Sequence, residues 1–253
     1  MRLQRFQPVI GLQPYIREFI LIETDEITDS TVIPDTVLVM SLRYRGKVMK
    51  GEDLLPAIVV SGLRRSVRQF TYASHTANFL ILFQEGGLSA FTRMPANSLF
   101  DQTISADNLF PRPELDRLAE SLAEACTDAQ RVQLVEAFLL DHRTNVRQDG
   151  VVGAAVQLIR QHNGIVRIHQ LASALHLSQD PFEKRFRLLV GATPKQYASI
   201  VRLRGLIHNY PAYSSLTDAS YEAGYFDQSH FIKDFRLFTG RSPKEFFQSG
   251  LFW

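Results

Sequence analysis

The chain's 253 residues are 45% hydrophobic and 21% charged, which excludes a disordered chain and allows one large or two ordinary domains with real cores. The net charge of +2 divides unevenly: residues 151–253 hold 12 Lys+Arg against 7 Asp+Glu, and residues 1–150 hold 16 against 19. A basic, polyanion-binding C-terminal part is therefore expected beside a part that does not bind polyanions.

The N-terminus opens no long apolar run ahead of a small-residue cleavage site, so no signal peptide is expected. No stretch approaches the roughly 18 apolar residues needed to span a bilayer, so no membrane partner is expected. Cys126, the single cysteine, excludes an intrachain disulfide and fits a reducing cytosol, and the expected localisation is cytoplasmic. Up to about residue 110, Phe19-Ile-Leu-Ile22, Val37-Leu-Val-Met-Ser-Leu42, Ala57-Ile-Val-Val60 and Phe79-Leu-Ile-Leu-Phe83 are short apolar runs between Pro, Gly and Asp, which predicts strands. Gly46 and the Gly86-Gly87 pair mark turns, and a small barrel or sandwich is expected. Residues 114 to 142 switch period: Leu115, Leu118, Leu122 and Ala125, then Val132, Val135, Phe138 and Leu139, recur at helical spacing. One or two helices are expected there, with Cys126 inside the pattern as a buried small hydrophobe. The polar stretch Arg143 to Gly150 reads as the linker. It divides the chain into a β-rich domain over 1–145 and a domain over 151–250 that reads as helix throughout.

That second domain repeats itself. Phe182, Lys184, Phe186, Arg187, Leu188, Gly191, Pro194 and Lys195 each recur 49 residues later, as Phe231, Lys233, Phe235, Arg236, Leu237, Gly240, Pro243 and Lys244. Eight identities within 14 positions mean one supersecondary unit used twice. In the first copy, Ile168 to Leu175 is a short helix with Leu171, Ala172 and Leu175 inward, and His176 occupies the turn. Ser178 caps a second helix running to about Val190, which buries Phe182, Phe186 and Leu189 and ends at Gly191. In the second copy, Leu216 to Ala223 is the first helix, Gly224 the turn and Asp227 the cap. The following helix, Gln228 to about Phe238, buries Phe231, Phe235 and Phe238 and turns Gln228, Ser229, Ile232, Lys233 and Arg236 outward. A longer helix from Pro194 to about His208, with Pro at its first position, joins the two units.

The residues Leu177-Ser178, Phe182-x-Lys-x-Phe186-Arg, Gly191-x-x-Pro194-x-x-Tyr197 and Arg202-Leu203 resemble the first half of the AraC/XylS DNA-binding domain. Ala223-Gly-Tyr-Phe-Asp-Gln-Ser-His-Phe231-x-Lys-x-Phe235-Arg with Gly240-x-Ser-Pro243-x-x-Phe246 is similar to its second half. Lys184 and Lys233 stand where the family usually has Arg, and His176 where it usually has Gly. The resemblance implies an α+β, two-domain protein: a β-rich sensor-like N-terminal domain, then an all-α domain of two helix-turn-helix units joined by a linker helix. It implies a sequence-specific transcription regulator that reads two successive major grooves of double-stranded DNA, roughly 34 Å apart. By position, Gln179, Asp180, Glu183 and Lys184 would face bases from the first unit, and Gln228, Ser229 and Lys233 from the second. Ser178, Arg187, Lys195, Arg236 and Lys244 would face phosphates. The family also implies a small-molecule effector or a homodimer acting through the N-terminal domain, and RNA polymerase as a partner. Arg93-Met-Pro-Ala-Asn-Ser-Leu99 and Leu12-Gln-Pro-Tyr-Ile-Arg17 are similar to the sensor half of one subgroup of the family, without naming an effector.

Other chemistry is sparse. The seven histidines show no ligand spacing, so neither a metal site nor a cofactor is expected. Arg64-Arg65 with Arg68 beside Tyr72 would suit an anionic effector, against the plainer reading of a solvated loop. A DNA-repair or methyl-transfer enzyme would need Cys126 as nucleophile, and its apolar helical setting speaks against that role. A non-specific architectural DNA binder would need phosphate contacts but no ordered set of base-facing side chains.

Overall fold

The computed structural model describes residues 1–144, 149–210 and 215–248. The four apolar runs become the four inner strands of a six-stranded antiparallel sheet. These are β2 (Ile16–Thr24), β9 (Thr76–Phe83), β4 (Val39–Arg45) and β7 (Ile58–Ser61), flanked by β1 (Arg2–Phe6) and β10 (Thr103–Ser105), in the order β1-β2-β9-β4-β7-β10. Continuous apolar runs suit these strands because both faces are covered. Phe19 and Leu21 of β2 stand opposite Ile81 and Phe79 of β9, and all four are fully buried. With Met40 and Leu42 they share one core with Leu115, Leu118, Leu122, Val135 and Leu139 of two helices, α1 (Arg112–Glu124) and α2 (Asp128–His142).

The alternate residues Ile20, Ile22 and Leu82 point the other way. They meet Val48 and Tyr72 of a second, four-stranded sheet, β3 (Thr28–Val32), β8 (Arg68–Tyr72), β5 (Val48–Lys50) and β6 (Asp53–Leu54), in the order β3-β8-β5-β6. The architecture is thus two sheets face to face with helices on the outer side of the larger one.

Cys126 departs from expectation. The helical pattern breaks there, because α1 ends at Glu124 and α2 starts at Asp128, and the cysteine lies exposed in the turn. Thr127 and Gln130 form a reciprocal capping box that sets this boundary. The basic cluster also departs from the solvated-loop reading. Arg64 and Arg68 are 9% and 7% exposed. The Arg64 guanidinium donates to the carbonyls of Val32 and Ile33, and that of Arg68 to Thr103 Oγ1 and the Asp101 carbonyl. Burial holds the Arg64 guanidinium down at about 10, so these arginines cross-link loops from within.

After the stretch where the linker was expected, part of which (145–148) lies outside the described residues, the chain is helical: α3 (Gly150–Gln161), α4 (Ile168–Ala174), α5 (Gln179–Val190), α6 (Pro194–Asn209), α7 (Leu216–Glu222), α8 (Gln228–Thr239) and α9 (Pro243–Gln248). Positions 249 and 250, the end of the expected domain, also lie outside the described residues. No helix among the described residues is long and apolar enough to cross a membrane.

The hydrophobic core does not stop between the two halves. One cluster runs from Leu12 of the sheet region to Phe246 of α9. The end of α5 packs on the single 3₁₀ turns at Gly87–Ala90 and Ala96–Leu99. A Cβ on Gly191, just past α5, would lie 3.0 Å from the Ala96 carbonyl oxygen, a tight approach at a φ of 93° that L side chains rarely adopt. Beside it, the Glu85 carboxylate, 7% exposed, accepts from Arg160 of α3 and, at 2.8 Å, from the Tyr197 hydroxyl of α6. Arg204 of α6 reaches Asp35 and the Pro34 carbonyl, each at 3.2 Å.

Candidate nucleic-acid interface

Each helix-turn-helix unit is built from the same local devices. In the first, α4 ends at Ala174 with Leu175 as its C-cap, and His176 takes a left-handed φ of 57° to turn the chain toward α5. Ser178 occupies the N-cap but its hydroxyl makes no capping bond. Gly191, at φ 93°, ends the helix in the left-handed conformation, for which glycine carries no Cβ penalty. Phe182, Phe186 and Val190 are fully buried along one stripe. The expected third member, Leu189, is only half-buried and faces Gly86, because the stripe continues at i+4 rather than i+3. Leu175, expected inward, is likewise half-buried.

The opposite face of α5 carries the side chains assigned to DNA. Gln179, Asp180, Lys184 and Arg187 are exposed. Glu183 is half-buried, and its carboxylate accepts from the Gln179 amide at 2.7 Å. That pair ties the two residues into one polar group at the start of the helix.

In the second unit, Gly224 (φ 71°) replaces the strained histidine, and Asp227 accepts from the His230 N–H at 2.8 Å as a full N-cap. Phe231 and Phe235 are fully buried and Phe238 nearly so, each where the repeat places it. Gln228, Ser229, Ile232, Lys233 and Arg236 line the exposed face of α8. The Gln228 amide donates to Thr217 Oγ1 of α7 at 3.1 Å, which orients it across the unit. Lys195 and Lys244 are exposed at the starts of α6 and α9.

Helix α6 fixes the two units to each other. Its start is locked by a capping box between Thr193 and Gln196. At its first turn the buried Tyr197 ring meets Phe186 of α5 edge-on, 5.6 Å between centroids, and burial pushes the Tyr197 hydroxyl well above the ordinary tyrosine range. Two turns on, the Arg202 guanidinium lies 4.2 Å from the centre of the Tyr225 ring. The Tyr225 hydroxyl donates to Asp234 of α8 at 3.3 Å, and burial raises it to about 12. The sequence places α6 as a spacer and Arg202 and Tyr225 within motifs, but the contact between those two, and that of Glu85 with Tyr197, join residues with no local pattern between them.

The arrangement offers side-chain donors, acceptors and positive charge on two outward helix faces. Among the described residues, no cluster of His, Cys, Asp or Glu could hold a metal ion. Two helix-turn-helix units with solvent-facing polar second helices define a DNA-binding transcription regulator. Residues 171–249 match the family of helix-turn-helix domains, in agreement with the AraC/XylS resemblance of that stretch. Residues 4–105 match a domain of unknown function (DUF6597).

No curated protein matches the chain. Among solved structures it is similar to ToxT from Vibrio cholerae, at 10% identity and a TM-score of 0.48, covering 97% of this chain and 98% of that one. One ToxT structure holds an unsaturated fatty acid. The C-terminal domain of AraT, a response regulator from Geobacillus stearothermophilus, shows 16% identity and a TM-score of 0.39 over 43% of this chain and 92% of that one. A DNA-binding transcriptional dual regulator from Escherichia coli K-12 shows 20% identity and a TM-score of 0.37 over 41% of this chain and all of that one.

Proposed function

We propose that this regulator is sequence-specific and places α5 and α8 in two successive major grooves on one face of a single duplex. The observation that carries this reading is the fixed pairing of the two helices. Both turn their phenylalanine stripe inward, both leave a polar face exposed, and α6 is anchored to one through Tyr197 and to the other through Arg202. Gln179, Asp180, Glu183 and Lys184 would read bases from the first unit, and Gln228, Ser229 and Lys233 from the second. Ser178, Arg187, Lys195, Arg236 and Lys244 would hold phosphates and set the register. The uncapped hydroxyl of Ser178 supports its place in that group.

The β-rich domain over 1–145 modulates the DNA-binding domain over 151–250, through a small-molecule effector or through dimerisation. What supports this is the shared core and the Glu85 carboxylate, which joins the end of β9 to α3 and α6. Contact with RNA polymerase follows the family pattern. The test is a pull-down of genomic fragments with the full chain, followed by footprinting of the best fragment. Protection of two adjacent major grooves on one face is the expected result. Uniform protection with no preferred sequence would favour an architectural binder instead.

A further inference from the structure

Unit two is not a plain copy of unit one. Helices α4 and α7 begin at Ile168 and Leu216, 48 residues apart, whereas α5 and α8 begin at Gln179 and Gln228, 49 apart. The register slips by one inside the turn. The left-handed residues His176 and Gly224 correspond at 48. So do the residues after them: the Leu177 N–H donates to the Ala172 carbonyl and the Tyr225 N–H to that of Ser220, each at 3.0 Å. The N-caps Ser178 and Asp227 correspond at 49. One residue of unit two therefore has no counterpart, and it is Phe226.

Phe226 is not a core residue. Its side chain is 95% exposed, more than any other large hydrophobic residue described, while neighbouring Tyr225, at 3%, fills the place that Leu177 takes in unit one. A single exposed apolar side chain is ordinary on a protein surface, so exposure alone says little. Position says more. The turn of unit one closes without such a residue, and the extra ring stands directly before the N-cap of α8, next to Gln228 and Ser229. That is the end of the helix whose first residues approach base edges. Ile232, 36% exposed, extends the apolar character of the same outward face by one turn.

A phenyl ring can satisfy no donor or acceptor of a base edge, and the apolar feature of the major groove is the thymine C5-methyl group. We propose that Phe226 is a specificity-determining residue that packs on a thymine methyl in the half-site of unit two. It gives that unit a preference for an A·T pair which unit one, lacking the inserted residue, cannot express from the same place. The inference rests on α8 entering a major groove, as proposed above.

The full chain selects its preferred duplex from a random-sequence library, and that duplex is remade with uracil for thymine at one position at a time, which removes only the methyl group. Wild-type protein should lose about 4-fold in affinity at one thymine of the unit-two half-site, the weight of one buried methyl group. Phe226→Ala should bind the thymine and uracil duplexes alike, and should unfold at the wild-type temperature because the ring supports no core. A uracil penalty that persists in Phe226→Ala overturns the role of Phe226 and leaves the two-groove reading intact. So does a wild-type footprint over both grooves with no uracil penalty anywhere. Selection that returns no preferred sequence overturns both.

Discussion

Replacing Glu85 by alanine is the most direct test of whether the two halves of the chain act as one body. The carboxylate is 7% exposed and has two partners in the helical half, Arg160 and the Tyr197 hydroxyl. Removing it leaves the two partners in different positions. Arg160, 38% exposed, can turn to water, so its share of the loss is modest. Tyr197 is fully buried, and its hydroxyl would lose its carboxylate acceptor and keep Thr36 as its one remaining side-chain partner. A buried polar group left unsatisfied costs about 1–3 kcal/mol, and a hydrogen bond to a charged group contributes about 1.5–3 kcal/mol. Glu85→Ala should therefore lower the unfolding free energy by roughly 2–4 kcal/mol, since the two effects overlap on one atom. Denaturant unfolding of the full chain measures it, with Tyr197→Phe and the double variant completing a cycle. Coupling between the two sites should be about 0.5–3 kcal/mol, as for residues in direct contact. Additive losses, or a Glu85→Ala variant within 0.5 kcal/mol of wild type (about the scatter expected for surface changes), would show that the junction is a surface contact and not a structural tie.

Lys233→Ala should weaken binding to the preferred duplex by about 1–3 kcal/mol and relax preference at one base pair; equal losses on preferred and random DNA would assign Lys233 to the backbone. Arg187→Ala should reduce the salt slope of log K by about 1 on every sequence, as loss of one phosphate contact does, and an unchanged slope would remove Arg187 from the phosphate set. Alkaline pH should destabilise the fold. The hydroxyls of Tyr225 and Tyr44 are both raised from 10.0 to about 12, so their contribution is complete below pH 10 and is lost as pH rises from 10 to 12. Tyr225→Phe should flatten that decline, measured by denaturant unfolding at successive pH values, and an unchanged pH profile would show that the Tyr225 hydroxyl titrates normally in the fold.

What was legible in the sequence follows from how much of each element is buried. The inner strands β2, β4, β7 and β9 are covered on both faces and read as unbroken apolar runs. Strand β3, Thr-Asp-Ser-Thr-Val, lies at a sheet edge with no buried residue, so its composition could not distinguish it from a loop. The phenylalanine stripes of α5 and α8 were legible because the repeat fixes their phase twice over. Leu189 was misplaced because i+7 and i+8 from Phe182 both lie close to one helix face, and only the packing partner chooses Val190. The base-facing assignments rest on helix phase alone, and phase puts Glu183 outward without showing that Gln179 holds it. Glu85 and Tyr197 are 112 residues apart, beyond any local pattern. Phe226 lies within a motif, but the one-residue slip that isolates it resides in the hydrogen bonding of the two turns and not in the local sequence.

The continuous core also bears on how this molecule can be dissected. Cutting the chain ahead of α3 would not release a helical fragment with a finished surface. The flank of α5 that rests on the turns at Gly87–Ala90 and Ala96–Leu99 would become a new apolar patch, and Arg160 and the Tyr197 hydroxyl would lose their shared anion. Such a fragment would carry both α5 and α8 yet stand them on a scaffold with one wall missing. A DNA affinity measured on it, set against that of the intact chain, would test how far the β-rich half sets the alignment of α5 and α8.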